Sequence, residues 1–222
     1  MVIDAPWEPT TAAVVESTAE DTRHALVWSF PETVMAISSA PVGGGTAAID
    51  WALNVGVTEG YARTDLGAHV REVSSHLGLD GTGAAMLTAA DVRRVVRGTD
   101  EGVVVDATVG VTKPTWAADA DGTHARRDGD RWVPGTINIL VQVPVALSPA
   151  AAVNAVMTAT EAKSQALIEA GVPGTGTASD AVLICWPPTL PVQEFGGPRS
   201  PWGARIARAT HAAMVEGLRV HP

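Results

Sequence analysis

The chain has 222 residues, of which 46% are hydrophobic, and it carries a formal net charge of −9 at pH 7. This length and apolar content are sufficient for one sizeable core and favour a single domain over two. The acidic balance argues against a nucleic-acid partner, because proteins that hold phosphates need a basic face.

The first twenty residues are rich in Pro, Thr and Glu, and we expect them to form a loosely attached N-terminal arm before a domain over residues 21–222. The N-terminus lacks a basic and then apolar leader, and no run of about 18 apolar residues occurs. A single cysteine, Cys185, cannot form an internal disulfide and permits a reducing compartment. We therefore expect a cytoplasmic protein with no membrane partner, and leave open whether it forms a homo-oligomer.

The first elements follow from β-rich runs and turn signals. Ala25–Phe30 and Thr33–Ser38 are two such runs, and Pro31-Glu32 between them predicts a hairpin. Thr64-Asp65 begins a helix with apolar residues along one face, and Gly78 ends it. His69 and His76 share a side of that helix, but no third ligand can be placed, so ordinary histidines are favoured over a metal site.

Short elements and a polar loop fill the middle of the chain. Asp91 and Thr88 are placed to cap a brief helix over Val92–Val96, and Gly102–Val111 predicts a strong strand. The polar segment Thr112–Arg131 is typical of an exposed hairpin loop that joins this strand to the next.

Patterned residues are most concentrated between Gly135 and Asp180. Ile137–Val145 alternates β-branched and other residues and predicts a strand, with Pro144 at an edge or at its end. Ser148 followed by Pro149 is a helix start, because serine caps free N–H groups and proline loses no hydrogen bond there. The helix runs to about Ala170, with an apolar stripe expected to pack on the strand, formed by Val153, Val156, Met157, Thr160, Lys163 or Ser164, and Leu167.

After this helix come a glycine-hinged, hydroxyl-rich loop over residues 174–180, a strand over Ala181–Trp186 and a final helix over Trp202–Leu218. Backbone amides and short hydroxyls of such a loop can converge on a bound oxygen. The fold class we predict is α+β: a single domain with a mixed or mostly antiparallel sheet covered by helices. Hairpin-like connections at both ends argue against a purely parallel, doubly wound sheet.

Several loop segments occur in a distinctive order along the chain: Ser38-Ser39-Ala40-Pro41 with Gly44-Gly45, Asn54, Met86–Ala90, Gly110, Gly135–Ile139, Thr160–Lys163, and Thr175–Thr177 with Asp180. No single motif suffices, but GTINI followed by TEAK and then TGTxxD is a specific combination. Taken together, these segments resemble the adenosylcobinamide amidohydrolase (CbiZ) family over about residues 24–217. The sequence departs from the family's pattern at Val42-Gly43 and at Thr112–Trp116, which indicates either altered substrate contacts or a changed activity.

The resemblance implies an enzyme that hydrolyses the amide between the aminopropanol arm and the corrin ring of adenosylcobinamide, giving adenosylcobyric acid in corrinoid salvage. Amide hydrolysis needs a nucleophile, donors for the oxyanion and an acid for the leaving amine. Our first candidate is a water activated by Glu161 or Asp180, with Lys163 as the partner charge. Glu161 and Lys163 are two residues apart on one helix, so we do not expect them to pair with each other.

A hydroxyl nucleophile with a carboxylate base is the second candidate mechanism, using Thr136, Ser38, Thr175 or Ser179. No cofactor is required by the pattern, although a divalent metal held by Asp180, Glu161 and a histidine stays open. Trp116 and Trp202 are expected to face a flat ligand, while Trp28 and Trp186 are expected in the core. The substrate-binding candidates are Ser38, Ser39, Gly44, Asn54, Thr88, Asn138, Thr175, Thr177, Ser179, Trp116 and Trp202.

Two other functions remain open at this stage. The chain could be a corrinoid carrier or sensor without catalysis, or an amidase that acts on a different amide. Substitution of Glu161 or Asp180 distinguishes the first of these from the enzyme, since a carrier would keep its ligand and an enzyme would lose turnover.

Overall fold

A computed structural model of the protein describes residues 7–58, 60–119, 135–188 and 191–220. Most of the predicted loop Thr112–Arg131 lies outside the described residues, which resume at Gly135. The described chain has one large mixed sheet, a separate pair of two-residue parallel strands and three α-helices. Its elements are β1 (Ala13–Glu16), β2 (Thr22–Ser38), β3 (Gly45–Val57), α1 (Leu66–His76), β4 (Gly83–Thr88), β5 (Val96–Asp100), β6 (Val103–Val109), β7 (Ile137–Gln142), β8 (Ala146–Leu147), α2 (Pro149–Glu169), β9 (Ala181–Trp186), β10 (Val192–Gln193) and α3 (Pro201–Val220).

The main sheet has eight strands in the order β4-β3-β2-β9-β7-β6-β5, and β1 pairs with β2 outside this path. β3 runs parallel to β4, and β7 runs parallel to β9, whereas the other neighbouring pairs are antiparallel. The predicted mixed sheet covered by helices is therefore confirmed, as is the antiparallel pairing of the strands on either side of the polar loop.

The expected hairpin over residues 25–38 is wrong, because this segment is one continuous strand. β2 extends through Pro31-Glu32, and its pairing with β3 shifts between Ser29 and Val34. Proline has no N–H for a ladder, but a bulge accommodates it, so the turn signal here marks an irregularity within a strand. The length of β2 lets its first half pair with β1 and its second half with β9.

The N-terminal segment is attached to the sheet rather than loose. Ala13–Glu16 forms β1, and the Thr10 N–H donates to Gln142 Oε1 at 2.7 Å while Gln142 Nε2 donates to the Thr10 carbonyl at 2.8 Å. Gln142 is fully buried, and its amide acts on Thr10 as a neighbouring strand would.

Helix ends follow the sequence signals closely. Ser148 Oγ accepts from the Ala151 N–H with Pro149 at the first helical position, and Gly171 adopts a φ of 74° after α2. The brief helix predicted over Val92–Val96 is shorter: it is a 3₁₀ turn of three residues capped by Asp91, and Val96 already belongs to β5. The strand predicted to reach Val145 ends at Gln142, before Pro144.

The apolar stripe predicted for α2 does not coincide with the face that the helix buries. Val153 and Met157 are 51% and 53% exposed, while the buried face consists of small residues with Lys163 and Leu167. The chain at Gly196 crosses that face so closely that a Cβ on it would lie 2.1 Å from the Ala151 carbonyl oxygen. This close approach leaves room only for small side chains on the buried face, which hydrophobic periodicity alone does not reveal.

The sheet has packed residues on both sides. Residues of β6, β7 and β9 form one core with α2 and α3, residues of β3 and β4 form another with α1, and the opposite faces of β2, β7 and β9 meet in a third core around Leu26, Trp28 and Leu140. Trp28 and Trp186 are buried as expected. A hydrogen bond from Trp28 Nε1 on β2 to Asp106 Oδ2 on β6, which is not adjacent to β2 in the sheet, shows that the sheet curls around this third core.

We expect Gly98→Ala to destabilise the fold by roughly 1–3 kcal/mol, because overpacking forces the backbone of a rigid contact to move. An added Cβ at Gly98 on β5 would lie 2.1 Å from the Ala209 carbonyl oxygen and 2.8 Å from Ala213 N on α3. The control is Gly67→Ala in α1, where the nearest atom is 3.5 Å away, and we expect no loss or a gain of up to about 1 kcal/mol. Chemical denaturation of both variants measures this, and equal stability for the two would contradict it.

Candidate functional site

An apolar cavity of about 330 Å³ lies at the edge of the sheet where β3 and β4 end and β7 begins. Its walls combine aliphatic side chains with hydroxyls and one ammonium group. The lining residues are Val57, Tyr61, Leu87, Thr88, Ala89, Lys113, Gly135, Thr136, Ala178 and Ser179. A concave apolar pocket with a few converging polar groups is the usual form of a small-molecule site.

Three of the predicted site residues meet in this cavity. Thr136 is 3% exposed, and its Oγ1 shares a hydrogen bond of 2.8 Å with Oγ of Ser179. Thr88 Oγ1 accepts from the Ala90 N–H at 3.0 Å, so its own O–H can still be donated into the cavity. These hydroxyls come from β4, from the residue before β7 and from the loop before β9, and only the fold brings them together.

Asp180 and Lys163 form an ion pair directly behind this wall. Lys163 Nζ lies 2.5 Å from Asp180 Oδ2, and the two side chains are 8% and 11% exposed. Asp180 also accepts from the Ile137 N–H, the Thr177 N–H and the Thr177 hydroxyl. With four donors on its two oxygens, the carboxylate joins α2, β7 and the 174–180 loop in one network.

Gly176 is required by this packing. A Cβ at this position would lie 2.3 Å from Asp180 Oδ2 and 2.6 Å from Lys163 Nζ. The same loop is held from outside by Thr115, whose N–H donates to the Gly176 carbonyl and whose carbonyl accepts from the Thr175 N–H. Thr175 and Thr177 therefore shape the loop, and neither lines the cavity.

Glu161 lies apart from the other predicted catalytic residues. It is exposed on α2, whereas Lys163 is buried on another side of the helix, so the expectation that they do not pair is confirmed. Glu161 does not line the cavity. It lies in a shallow surface depression with Thr160, Ser164 and Gln165.

Two predicted substrate contacts, Asn54 and Asn138, are buried in a network that connects distant strands. Asn138 Nδ2 donates to Asn54 Oδ1 at 2.8 Å and to the Leu87 carbonyl at 3.0 Å, and Asn54 Nδ2 donates to Thr108 Oγ1 at 2.9 Å. Both amides are about 1% exposed, and Asn138 Oδ1 has no partner among the described residues. The network lies behind Leu87 and Thr88 and does not itself line the cavity.

The serine and glycine residues of the 38–44 loop also serve the backbone. Ser38 Oγ donates to the Val182 carbonyl and accepts from the Ala40 N–H, while Ser39 Oγ accepts from the Val182 N–H. Gly44 packs against the Ala40 carbonyl, where a Cβ would lie 2.3 Å from the oxygen. These residues fix the start of β9 and so the position of Asp180.

The two tryptophans expected to face a ligand lie in different places. Trp116 is 48% exposed on the loop that carries Lys113. Trp202 is at the start of α3, where Arg205 stacks over its ring at 4.4 Å and pairs with Glu101. Glu101 precedes β6, and the cavity lies beyond the far end of that strand, so Trp202 is about 20 Å from it.

Sequence reasoning missed Lys113 and Tyr61 as cavity residues. Lys113 is half-buried, and its ammonium has no ion-pair partner within the described ranges. The Tyr61 hydroxyl lies 2.7 Å from Nδ1 of His69, and Nε2 of His69 lies 2.9 Å from Thr22 Oγ1. The departure of residues 112–116 from the family's pattern was the one signal that pointed to Lys113.

Burial shifts the pKa values of this tyrosine–histidine pair in opposite senses. Removal from water raises the pKa of the Tyr61 phenol and lowers the pKa of His69 below its ordinary 6.5, because burial disfavours the charged form of each.

His69 and His76 do not converge: His76 is exposed and its Nδ1 contacts the Glu72 carbonyl. Among the described residues, no group of three or more His, Cys, Asp or Glu side chains is arranged to hold a metal ion.

No helix among the described residues has the length and apolar character needed to cross a membrane.

We expect Lys163→Met to destabilise the protein by about 3–5 kcal/mol, because it leaves the buried Asp180 carboxylate without its counter-charge. The control is Arg93→Met, which removes the ion pair with Asp91 at side-chain exposures of 59% and 34% and should cost less than about 1 kcal/mol. Urea denaturation at neutral pH measures both. Similar losses for the two variants would show that the Lys163–Asp180 pair does not stabilise the fold.

Comparison with known proteins gives consistent matches. The sequence model of the adenosylcobinamide amidohydrolase (CbiZ) family matches residues 8–221. A protein from Halobacterium salinarum named adenosylcobinamide amidohydrolase is 38% identical over 119 residues, which are 53% of this chain and 48% of the relative. One of the same name from Methanosarcina mazei is 27% identical over 191 residues, or 82% of this chain and 89% of the relative.

Among solved structures, a protein from Pyrococcus horikoshii OT3 aligns with a TM-score of 0.45 at 11% identity, over 97% of this chain and 82% of that one. The chain spans about half the length of the Halobacterium relative, 48%, and most of the Methanosarcina relative. Because the family's sequence model matches nearly the whole chain, including every segment that lines the cavity, the chain belongs to the adenosylcobinamide amidohydrolase (CbiZ) family.

Proposed function

We propose that the protein hydrolyses the amide that joins the aminopropanol arm to the corrin ring of adenosylcobinamide, giving adenosylcobyric acid and 1-aminopropan-2-ol in corrinoid salvage. The observation that carries this proposal is the cavity, in which four side-chain hydroxyls stand among aliphatic walls with Lys113, a lysine that has no ion-pair partner among the described residues. Family membership over residues 8–221 and the names of the relatives support the choice of substrate.

The size of the cavity suits the arm of the substrate rather than the whole corrinoid. Its volume of about 330 Å³ is at the low end of the range for ligand pockets, roughly 300–1,000 Å³. The short aminopropanol arm presents a methyl and methylene to the aliphatic wall and a hydroxyl to Thr88 or Ser179. The corrin ring then stays outside the cavity, and Trp116, which is exposed and three residues after Lys113, is our candidate for a flat surface against it.

Lys113 is the group best placed to stabilise the oxyanion that forms at the amide carbon. A cation beside developing negative charge in an apolar site lowers the barrier more than it would in water, because little solvent screens it. The same ammonium would pair with the carboxylate of the product. Thr136 and Ser179 also line the cavity, and whichever of their hydroxyls accepts the bond they share keeps its own proton as a further donor.

Asp180 and Lys163 act in this proposal as a positioning pair. The Asp180 carboxylate already accepts four hydrogen bonds, so both of its oxygens are occupied by groups that hold the wall in place. Through the Ile137 N–H it fixes the residue after Thr136, and through Thr177 it fixes the loop that carries Ser179. Glu161, exposed and outside the cavity, is assigned no part in the chemistry.

Water is favoured over a side-chain hydroxyl as the nucleophile. A serine or threonine nucleophile needs a base within hydrogen-bond reach. In the described part of the chain, Thr136 Oγ1 bonds to Ser179 Oγ, another hydroxyl, and the nearby Asp180 carboxylate is already saturated. Water can instead enter between the hydroxyl wall and Lys113.

The purified protein should convert adenosylcobinamide to adenosylcobyric acid, detected by mass spectrometry as loss of the aminopropanol arm. Cobinamide without the adenosyl group, assayed in parallel, reports whether the upper ligand is recognised. No product from either corrinoid, together with a corrinoid that co-elutes with the protein, would reject the hydrolase and support a carrier. Product from other amides only would indicate an amidase of different specificity.

Lys113→Met should lower kcat/KM by about 10²–10³-fold, the usual effect of removing one oxyanion-stabilising group. The matched control is Arg219→Met, whose side chain is 73% exposed near the end of α3 and should leave turnover unchanged. Steady-state kinetics on adenosylcobinamide measures both. An unchanged kcat/KM for Lys113→Met would remove this lysine from the mechanism.

A further inference from the structure

Of the two histidines on α1, His69 is connected to the cavity, because its imidazole contacts the side chain of Tyr61, which lines the cavity. His69 is fully buried, and its ring lies 5.3 Å from the Tyr61 ring, measured between centroids. Its Nδ1 contacts the Tyr61 hydroxyl at 2.7 Å, and Tyr61 lines the cavity. A buried, titratable ring that bonds to a cavity hydroxyl is more than packing requires.

The hydrogen bonds at the other ring nitrogen assign the tautomer. Thr22 Oγ1 donates to the Glu20 carbonyl at 3.4 Å, which uses the only proton of that hydroxyl. We assign the imidazole proton to Nε2, which lies 2.9 Å from Thr22 Oγ1, because the Glu20 carbonyl that accepts from this hydroxyl also hydrogen-bonds the His69 ring and has no proton to give. Nδ1 is left with its lone pair and accepts from the Tyr61 O–H.

In this arrangement His69 can act as a base towards the Tyr61 hydroxyl. Hydrolysis of an amide needs a proton-transfer group in each of two steps. It must first take a proton from the attacking water and then deliver one to the leaving amine. Within the described residues, no other cavity hydroxyl has an imidazole or a free carboxylate bonded to it.

We propose that Tyr61 is the acid–base residue of the reaction and that His69 positions it and stores the proton. This inference rests on the proposed amide hydrolysis. As water adds to the amide carbon, its proton passes to the Tyr61 oxygen while the Tyr61 proton passes to Nδ1 of His69. When the C–N bond breaks, His69 returns that proton to Tyr61, and Tyr61 gives its proton to the leaving nitrogen.

Atoms balance over the two steps. The hydroxyl of the water stays on the acyl carbon, its proton ends on the amine, and both side chains return to their starting states. The relay works only while His69 is neutral before attack. Burial, together with the Arg63 cation, lowers its pKa, while Glu72 and Asp21 act in the opposite sense.

The sign of the pH dependence follows from this. His69 is neutral above its pKa, which lies below 6.5, so turnover should hold as pH falls towards 6.5 and decline only below it. The stability that comes from burying a neutral imidazole is lost over the same range, since below pH 6.5 the unfolded chain binds the proton more tightly.

The first test is Tyr61→Phe, which keeps the ring and removes the hydroxyl. We expect kcat on adenosylcobinamide to fall by about 10²–10⁴-fold with little change in KM, the usual effect of losing an acid–base group. His69→Gln should lower kcat less and abolish the acidic limb of the kcat–pH profile. His76→Gln, on the exposed side of the same helix, is the matched control and should keep both.

A second measurement tests the hydrogen bond between Tyr61 and His69 independently of turnover. Nitrogen-15 NMR of the His69 ring should show a proton on Nε2 in the wild type and a displaced Nδ1 resonance in Tyr61→Phe. Thermal unfolding of each variant shows whether lost activity merely follows lost folding, an outcome that would overturn the relay. Wild-type turnover with undiminished kcat in Tyr61→Phe overturns the relay alone, whereas a wild type that hydrolyses no corrinoid overturns the proposed function and the relay with it.

Discussion

The Asn138 amide donates to Asn54 on β3 and to the Leu87 carbonyl on β4, and so joins strands that are far apart in the order of the sheet. Because β2 and β9 lie between β3 and β7, these bonds can form only if the sheet curls. A buried polar group must be paired, so the network permits one curvature and disfavours others. That curvature places Leu87 and Thr88 against Thr136 and thereby creates the cavity.

Asp180 performs the equivalent task on the other wall. Its two oxygens bind α2 through Lys163, β7 through the Ile137 N–H and the preceding loop through Thr177. Such a pair is costly to desolvate and stabilises the fold only where further hydrogen bonds support it, as the bonds from Ile137 and Thr177 do for the Asp180 carboxylate. The pair fixes the positions of the Thr136 and Ser179 hydroxyls, because the groups that hold these residues do not face the cavity. Among the residues that carry the resemblance to the family, Thr88 and Thr136 line the cavity, whereas Lys163, Thr177 and Asp180 hold its wall.

The division of labour extends to the chemistry that we propose. Lys113 and Tyr61 come from loops, where side chains can be exchanged without disturbing the sheet. His69 lies on α1, a regular helix, and gives the tyrosine from the loop a fixed partner. Lys113 lies in the segment where this sequence departs from the family's pattern, so we expect the substrate contacts of this chain to be distinctive there.

The sequence by itself determined the helix ends at Ser148 and Gly171, the strands that begin at Ile137 and Ala181, the mixed sheet and the family, because caps, alternation and loop motifs are local. It also placed Thr88, Thr136 and Ser179 among the site residues. Only the tertiary structure decided that β2 is continuous, that the alanine face of α2 is buried, that Glu161 lies outside the cavity, and that Asp180 is saturated. Those features depend on which elements of the fold come into contact. Neither the spacing of residues along the chain nor their hydrophobicity specifies how close two remote elements come.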